Sequence, residues 1–307
     1  MLTRRRFIAI SAALATAPVV AGATTGAPPV SRLWVGQALG ARASIRLAHP
    51  EGEAIAARVL SEIDRLEGIL SLYRADSALS RLNRSGRLEA PPPELLECLS
   101  LAGSVNRASG GLFDPTVQSL WALWAEAATA GGTPSDAALA EVLARTGWAR
   151  VGLDPARITL APGMALTLNG IGQGYVADRV AALLREEGLD EILVDTGEMR
   201  ALGGQPGGGC WRVVLEEGGR IALSDRALAT SAPLGTTFDA GGALGHILDP
   251  FTGRPASARW RGISVSAPTA AVADALSTAA CLLPDQEAVA ALVGAFPGAR
   301  VEAAVKA

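Results

Sequence analysis

The chain has 307 residues, 49% of them hydrophobic, and a formal net charge of −3, an ordinary globular composition with enough apolar surface for a core. Mild acidity and an aromatic content of 4% argue against non-specific nucleic-acid binding and against base stacking. The cysteines Cys98, Cys210 and Cys281 form no CxxC pair, and the only histidines are His49 and His246, so neither a disulfide framework nor a zinc cluster is expected.

Residues 1–27 read as an export signal. Arg4-Arg5-Arg6-Phe7 precedes a mild, Ala-rich apolar run and then the small residues Ala21-Gly22-Ala23, the order of a cleavable leader of the twin-arginine type. The run is short and weakly apolar for a permanent span, and no cysteine follows it, so no lipid anchor is expected. The mature protein is expected to begin near residue 24 and to work in the periplasm, with residues 28–307 forming one domain.

Residues 33–47 predict a strand with a glycine break. Residues 51–70 carry Ala54, Val59, Ile63 and Leu66 at helical spacing. Pro91–Pro93 open a helix to about Ala108, which Gly110-Gly111 stops. Pro115 starts the next helix, with Leu120, Trp121 and Trp124, and Ser135-Asp136 caps another over 134–146. Short strands are expected near 149–152, 157–160 and 164–168. The turn Asn169-Gly170-Ile171-Gly172-Gln173-Gly174 leads into a helix over 175–187. Strands follow at 191–195, 210–216, 219–223, 227–230 and 261–267, with Gly203–Gly209 a loop and Ala271–Leu282 a helix. Helices and strands mix without a βαβ repeat, which makes the class α+β.

Three segments could carry chemistry. The glycine turn at 169–174 opens a helix, where backbone N–H groups attract phosphate; it is neither GxGxxG nor a Walker loop, and a plain strand-to-helix turn explains it equally well. His246 stands beside the turn formers of Asp249-Pro250-Phe251-Thr252-Gly253. Asp274 and Thr278 share one helix face; their hard oxygens suit magnesium, while a capping Asp and a Thr bonding back to its own helix are the plain alternative. Ser71–Asn83, with Tyr73, and Ser109–Val117, with an N-cap-like Asp114, read as surface loops.

Taken in order, these segments resemble the ApbE family, the FAD:protein FMN transferases. The resemblance rests on Leu39-Gly40-Ala41, Ser71-Leu72-Tyr73 through Asn83, and Gly111-Leu112-Phe113-Asp114-Pro115-Thr116-Val117. It continues through Leu168–Asp178, Ala229-Thr230-Ser231, His246–Pro255 and Asp274–Thr278. Together they span essentially the whole mature chain. Departures from the family pattern are Leu39 and Ala41 for Met and Thr, Thr167 for Asp, Gln173 for Lys or Glu, and Ala232-Pro233 after the Ala-Thr-Ser segment.

The resemblance implies an FAD site in which Leu39, Tyr73, Leu112, Phe113, Asp114, Gln173, Ser231 and Ile247 contact the dinucleotide. It implies Mg2+ held by the Gly170 carbonyl, Asp274 and Thr278, with His246 near the reacting phosphorus. A Thr or Ser hydroxyl of an acceptor protein would attack the FMN-side phosphorus and AMP would leave, with His246 or Asp274 receiving the proton. The twin-arginine leader, Asp195-Thr196-Gly197-Glu198, Trp121 and Trp124 further resemble the NosX branch, which accompanies nitrous oxide reduction and flavinylates a membrane partner. FAD hydrolysis to FMN and AMP, or flavin binding without catalysis, are the alternative activities.

Overall fold

A computed structural model describes residues 32–47, 49–205, 207–215 and 218–307; the export signal read at 1–27 lies outside the described residues. The chain opens with β1 (Arg32–Ala38), β2 (Ala41–Leu47), α1 (Gly52–Leu70), α2 (Ala78–Ser85), β3 (Arg87–Glu89), α3 (Pro93–Ala108), α4 (Gln118–Thr129) and α5 (Asp136–Leu143). A 3-10 turn at Trp148–Arg150 leads to β4 (Gly152–Asp154), β5 (Arg157–Thr159), α6 (Gly172–Glu186), β6 (Ile192–Asp195) and β7 (Met199–Leu202). Then come β8 (Trp211–Val214), β9 (Arg220–Leu223), β10 (Ala227–Ser231), β11 (Trp260–Ala267), α7 (Ala270–Ala280), α8 (Gln286–Gly294) and β12 (Arg300–Lys306).

Seven strands form one antiparallel sheet in the order β1-β2-β6-β7-β10-β11-β12. Its two faces are sorted by the period of two that strands impose. Ala227 and Ala229 of β10 and Ile263, Val265 and Ala267 of β11 enter the main core with α1, α6 and α7. Leu228 points the other way, into a smaller cluster with Met199, Ala201 and the β8–β9 hairpin residues Val213 and Leu223. On that second face Thr230 and Ser264, cross-strand partners, share a hydroxyl hydrogen bond of 2.8 Å. A third cluster joins α4 and α5 through Leu120, Trp124 and Leu139 to Leu248, with Phe238 packed against it.

The α+β class and single-domain architecture hold, with several local corrections. The strand expected over 33–47 is a hairpin, because Leu39 and Gly40 both take positive φ (48° and 86°) and reverse the chain in two residues. No strand forms over 164–168; Ala165 makes only an isolated bridge to Val117. The helix expected from Pro115 begins at Gln118, and Asp114 does not cap it. Instead Asp114 accepts the Thr116 amide and hydroxyl (2.8 and 2.7 Å) and the Trp148 N–H (3.0 Å), tying the loop before α4 to the 3-10 turn. Ser135 caps α5 as expected, accepting the Ala138 N–H.

Candidate functional site

The site is assembled where the start of α6 meets α7. α6 has no side-chain N-cap, so its first N–H groups must find partners elsewhere. One finds Asp274: the Gly174 N–H donates to Asp274 Oδ2 at 3.2 Å. The approach is so close that a Cβ at Gly174 would lie 2.3 Å from the Ala270 carbonyl oxygen. Asp178, one turn into α6, returns the contact by accepting the Ala270 and Ala271 N–H groups at 2.8 and 2.9 Å. Each helix thus receives a carboxylate from the other at its amino end or within its first turns, where N–H groups favour anions. Arg200 lies 3.3 Å from Asp178 and secures it.

This geometry removes one structural alternative for the Asp274/Thr278 pair. Asp274 is the fifth residue of α7, so it does not cap its own helix. The Thr278 hydroxyl lies 3.2 Å from Ser231 Oγ, which also shares a 2.8 Å hydrogen bond with Ser277 Oγ. Three hydroxyls from β10 and α7 therefore meet on the side of α7 that carries Asp274. Gly170 faces the same point: a Cβ there would stand 3.1 Å from Thr278 Oγ1 and 3.2 Å from the Phe113 ring. The structure thus brings together Gly170, Phe113, Ser231, Asp274 and Thr278, all expected site residues.

Leu39 and Gln173 border the same turn. The Leu39 side chain meets Gly172, its positive-φ backbone is buried, and its N–H donates to Glu67 Oε1. The Gln173 side-chain amide lies against Gly197, and its carbonyl accepts the Thr196 hydroxyl at 3.1 Å. Tyr73 is 69% exposed, with its ring edge over Gly40. Leu112 is half-buried in the loop that leads to Phe113.

His246 and Ile247 come from the irregular segment between β10 and β11. The His246 N–H donates to the Thr236 carbonyl, and His246 Nδ1 lies 3.0 Å from the same oxygen. A carbonyl only accepts, so this contact places a hydrogen on Nδ1 and leaves Nε2 as the acceptor of the neutral ring. Burial lowers the imidazole's pKa, outweighing the Thr236 and Pro233 carbonyls that favour the cation. Ile247 is buried in the main core, and its carbonyl accepts the Ala256 N–H at 2.7 Å.

Electrostatically the site is a pocket of reluctant acids. Burial pushes the Asp274 carboxyl up to about 7, and the charge of Asp178 adds to the shift, against the Gly174 hydrogen bond. Asp178 is itself raised to about 6, chiefly by burial. Glu198, in the β6–β7 turn, is also buried, and desolvation and the charges of Asp274 and Asp195 hold it well above the usual carboxylate range. Sequence reading did not single out Glu198 or give Asp178 a role. Glu198 entered that reading only within the segment Asp195-Thr196-Gly197-Glu198, with no role of its own.

A helix start, whose free N–H groups favour anions, a buried carboxylate and converging hydroxyls meet at one junction of an α+β domain. The chain belongs to the ApbE family, whose pattern matches residues 39–300. It is 29% identical over 293 residues to an FAD:protein FMN transferase of Klebsiella pneumoniae, covering 87% of this chain and 83% of that protein. It is 31% identical over 291 residues to the enzyme of the same name in Treponema pallidum, covering 84% and 79%. The fold matches the apo flavinyl transferase ApbE of Pseudomonas stutzeri with a TM-score of 0.78 at 26% identity, covering 91% of this chain and 94% of that one. It matches the Thermotoga maritima ApbE protein with a TM-score of 0.79 at 26% identity, covering 91% and 96%.

Proposed function

We propose that this protein is an FAD:protein FMN transferase. The observation that carries the reading is the convergence of Gly170, Asp274, Thr278 and Ser231 at the start of α6, on a chain of the ApbE family. An acceptor Thr or Ser oxygen forms a bond to the FMN-side phosphorus, the phosphoanhydride bond breaks, and AMP departs with the bridging oxygen.

The chain's own groups fit that chemistry. The amino end of α6 offers positive partial charge to a pyrophosphate. His246, neutral and with Nε2 as its acceptor, can take the hydroxyl proton as the new bond forms. Tyr73 offers a face to the isoalloxazine ring. Mg2+ fits the donor set. Asp274 Oδ1 receives no hydrogen bond from the described residues, and Thr278 and the Gly170 carbonyl supply neutral oxygens. Among the described residues no group of three or more His, Cys, Asp or Glu gathers to hold a metal. A single carboxylate with neutral oxygens suits magnesium, which keeps water and substrate oxygens for its remaining positions. When bound there, the ion neutralises charge that develops on the pyrophosphate.

The Arg4-Arg5 leader and the NosX-like segments support a further part of the proposal: twin-arginine export to the periplasm and a membrane-bound redox protein as acceptor. The test is to incubate the mature chain with FAD, Mg2+ and a candidate acceptor, following acceptor mass and released AMP. A mass gain of one FMN on the acceptor with stoichiometric AMP supports the transferase. Free FMN with an unmodified acceptor makes it a hydrolase, and intact FAD makes it a flavin binder.

A further inference from the structure

Among the described residues, seven large hydrophobic side chains are exposed, and five of them are aliphatic. The two aromatic ones are Tyr73, at 69% exposure, and Phe251, at 63%. Phe251 is not left out by a loose loop. Its N–H and that of Thr252 donate to Asp249 Oδ1 at 2.8 and 3.3 Å, and the Gly253 N–H donates to the Asp249 carbonyl at 2.8 Å. The Gly253 carbonyl in turn accepts Trp124 Nε1 at 2.7 Å, which pins the loop to α4. A ring held in water this firmly forgoes its burial free energy and keeps a face available.

Where that face lies follows from its neighbours. The tip of the Phe251 ring stands 3.1 Å from the position a Cβ of Gly111 would take. Gly111 is two residues from Phe113, so their Cα atoms are within about 7 Å of each other. The Phe113 ring abuts Gly170. The Tyr73 ring covers Gly40, whose neighbour Leu39 abuts Gly172. A short chain of contacts therefore links each exposed aromatic ring to the turn, Phe251 through Gly111 and Phe113 to Gly170, and Tyr73 through Gly40 and Leu39 to Gly172.

FAD has two planar ring systems joined through a pyrophosphate. We propose that Phe251 is the stacking face for the adenine ring of FAD, with the isoalloxazine on Tyr73. This inference rests on the transferase reading. The adenine half leaves as AMP, and an open, one-sided stack holds it without trapping the product.

The test titrates AMP, FMN and FAD separately into the mature protein with Mg2+, comparing wild type, Phe251→Ala, Phe251→Trp and Tyr73→Ala. Stacking contacts of this kind correspond to roughly two- to tenfold in affinity. Phe251→Ala should weaken AMP and FAD by that factor and leave FMN within error, while Phe251→Trp retains AMP. Tyr73→Ala should show the reverse pattern, weakening FMN and sparing AMP. Because Phe251 is exposed, unchanged near-UV circular dichroism is expected in its variants. Unchanged AMP affinity in Phe251→Ala, or a loss confined to FMN, overturns the adenine assignment while FAD binding persists. A wild-type protein that binds no FAD overturns the transferase reading itself.

Discussion

Replacing Asp274 by asparagine should make the metal-free protein more stable while removing its activity. Asp274 is 3% exposed, and burial pushes its carboxyl up from the ordinary 3.8 to about 7. Ionising it there costs the fold about 4 kcal/mol. The sign follows from linkage. Below pH 3.8 the group is protonated folded and unfolded, and the cost is absent. It grows as pH rises from 3.8 to about 7 and is constant above, so the wild type loses stability across that window relative to the variant. Asparagine keeps an acceptor for the Gly174 N–H but buries an amide, which reduces the gain to about 2–3 kcal/mol. For a domain of this size that raises the melting temperature by about 4–10 °C at pH 8, and by less at pH 5. Part of the relief passes through Glu198, whose carboxyl Asp274 holds up, so Asp274→Asn and Glu198→Gln should be non-additive. The assay is thermal unfolding with EDTA or excess Mg2+ from pH 5 to 8, beside the flavinylation rate. Magnesium should stabilise the wild type and leave Asp274→Asn unmoved, and loss of this electrostatic partner should slow transfer by about a few hundredfold. Equal stability of the two proteins with EDTA at every pH would refute the buried-charge argument. A magnesium response retained in the variant would refute the metal assignment.

Tyr73→Ala should weaken FAD binding by roughly two- to tenfold, read by flavin fluorescence titration, with the melting temperature unchanged because the ring is already exposed. Gly174→Ala should destabilise the fold by about 2–4 kcal/mol in urea titrations, since its new Cβ meets the Ala270 backbone, which cannot move without shifting α7. A variant as stable as wild type would show that α6 and α7 do not depend on this contact. Lysine at both Arg4 and Arg5 should leave the precursor in the cytoplasm by cell fractionation; normal periplasmic accumulation would remove the twin-arginine proposal.

The long helices were legible because their apolar spacing is their packing. Val59, Ile63 and Leu66 of α1 are buried at the intervals that identified the helix, while Ala54, the first of that series, is exposed and Ile55 takes the buried place. The short elements were not. α2 is polar over most of its length, and its start is marked only by Ser77 accepting the Ser80 N–H. β7, four residues ending before a glycine loop, and the terminal α8 and β12 were missed because tertiary pairing defines them more than local pattern does. At the site, the ordered motifs marked Phe113, Gly170, Ser231, Asp274 and Thr278, which the fold gathers from separate elements. Nothing in the sequence indicated that Gly174 is a contact point, that Asp178 secures the start of α7, or that Glu198 is buried near Asp274. Each depends on how two elements distant in the chain approach one another.

The departures from the family pattern bear on whether this chain acts or only binds. Thr167 replaces an aspartate, yet its hydroxyl accepts the Asn169 N–H at 3.1 Å, the local bond that an aspartate two residues upstream would make. Leu39 replaces a methionine where the requirements are a positive-φ backbone and an apolar side chain over Gly172, and leucine meets both. Gln173 stands where charged residues of either sign occur. Here its uncharged amide lies beside the backbone of Gly197, a contact that needs polarity and not charge. Pro233 follows Ala229-Thr230-Ser231-Ala232, and its carbonyl is one of the two that face His246. At each of these positions the substituted residue keeps the backbone bond or contact that shapes the cleft. Asp274, Thr278, Gly170 and His246, to which the proposed transfer assigns roles, match the family pattern.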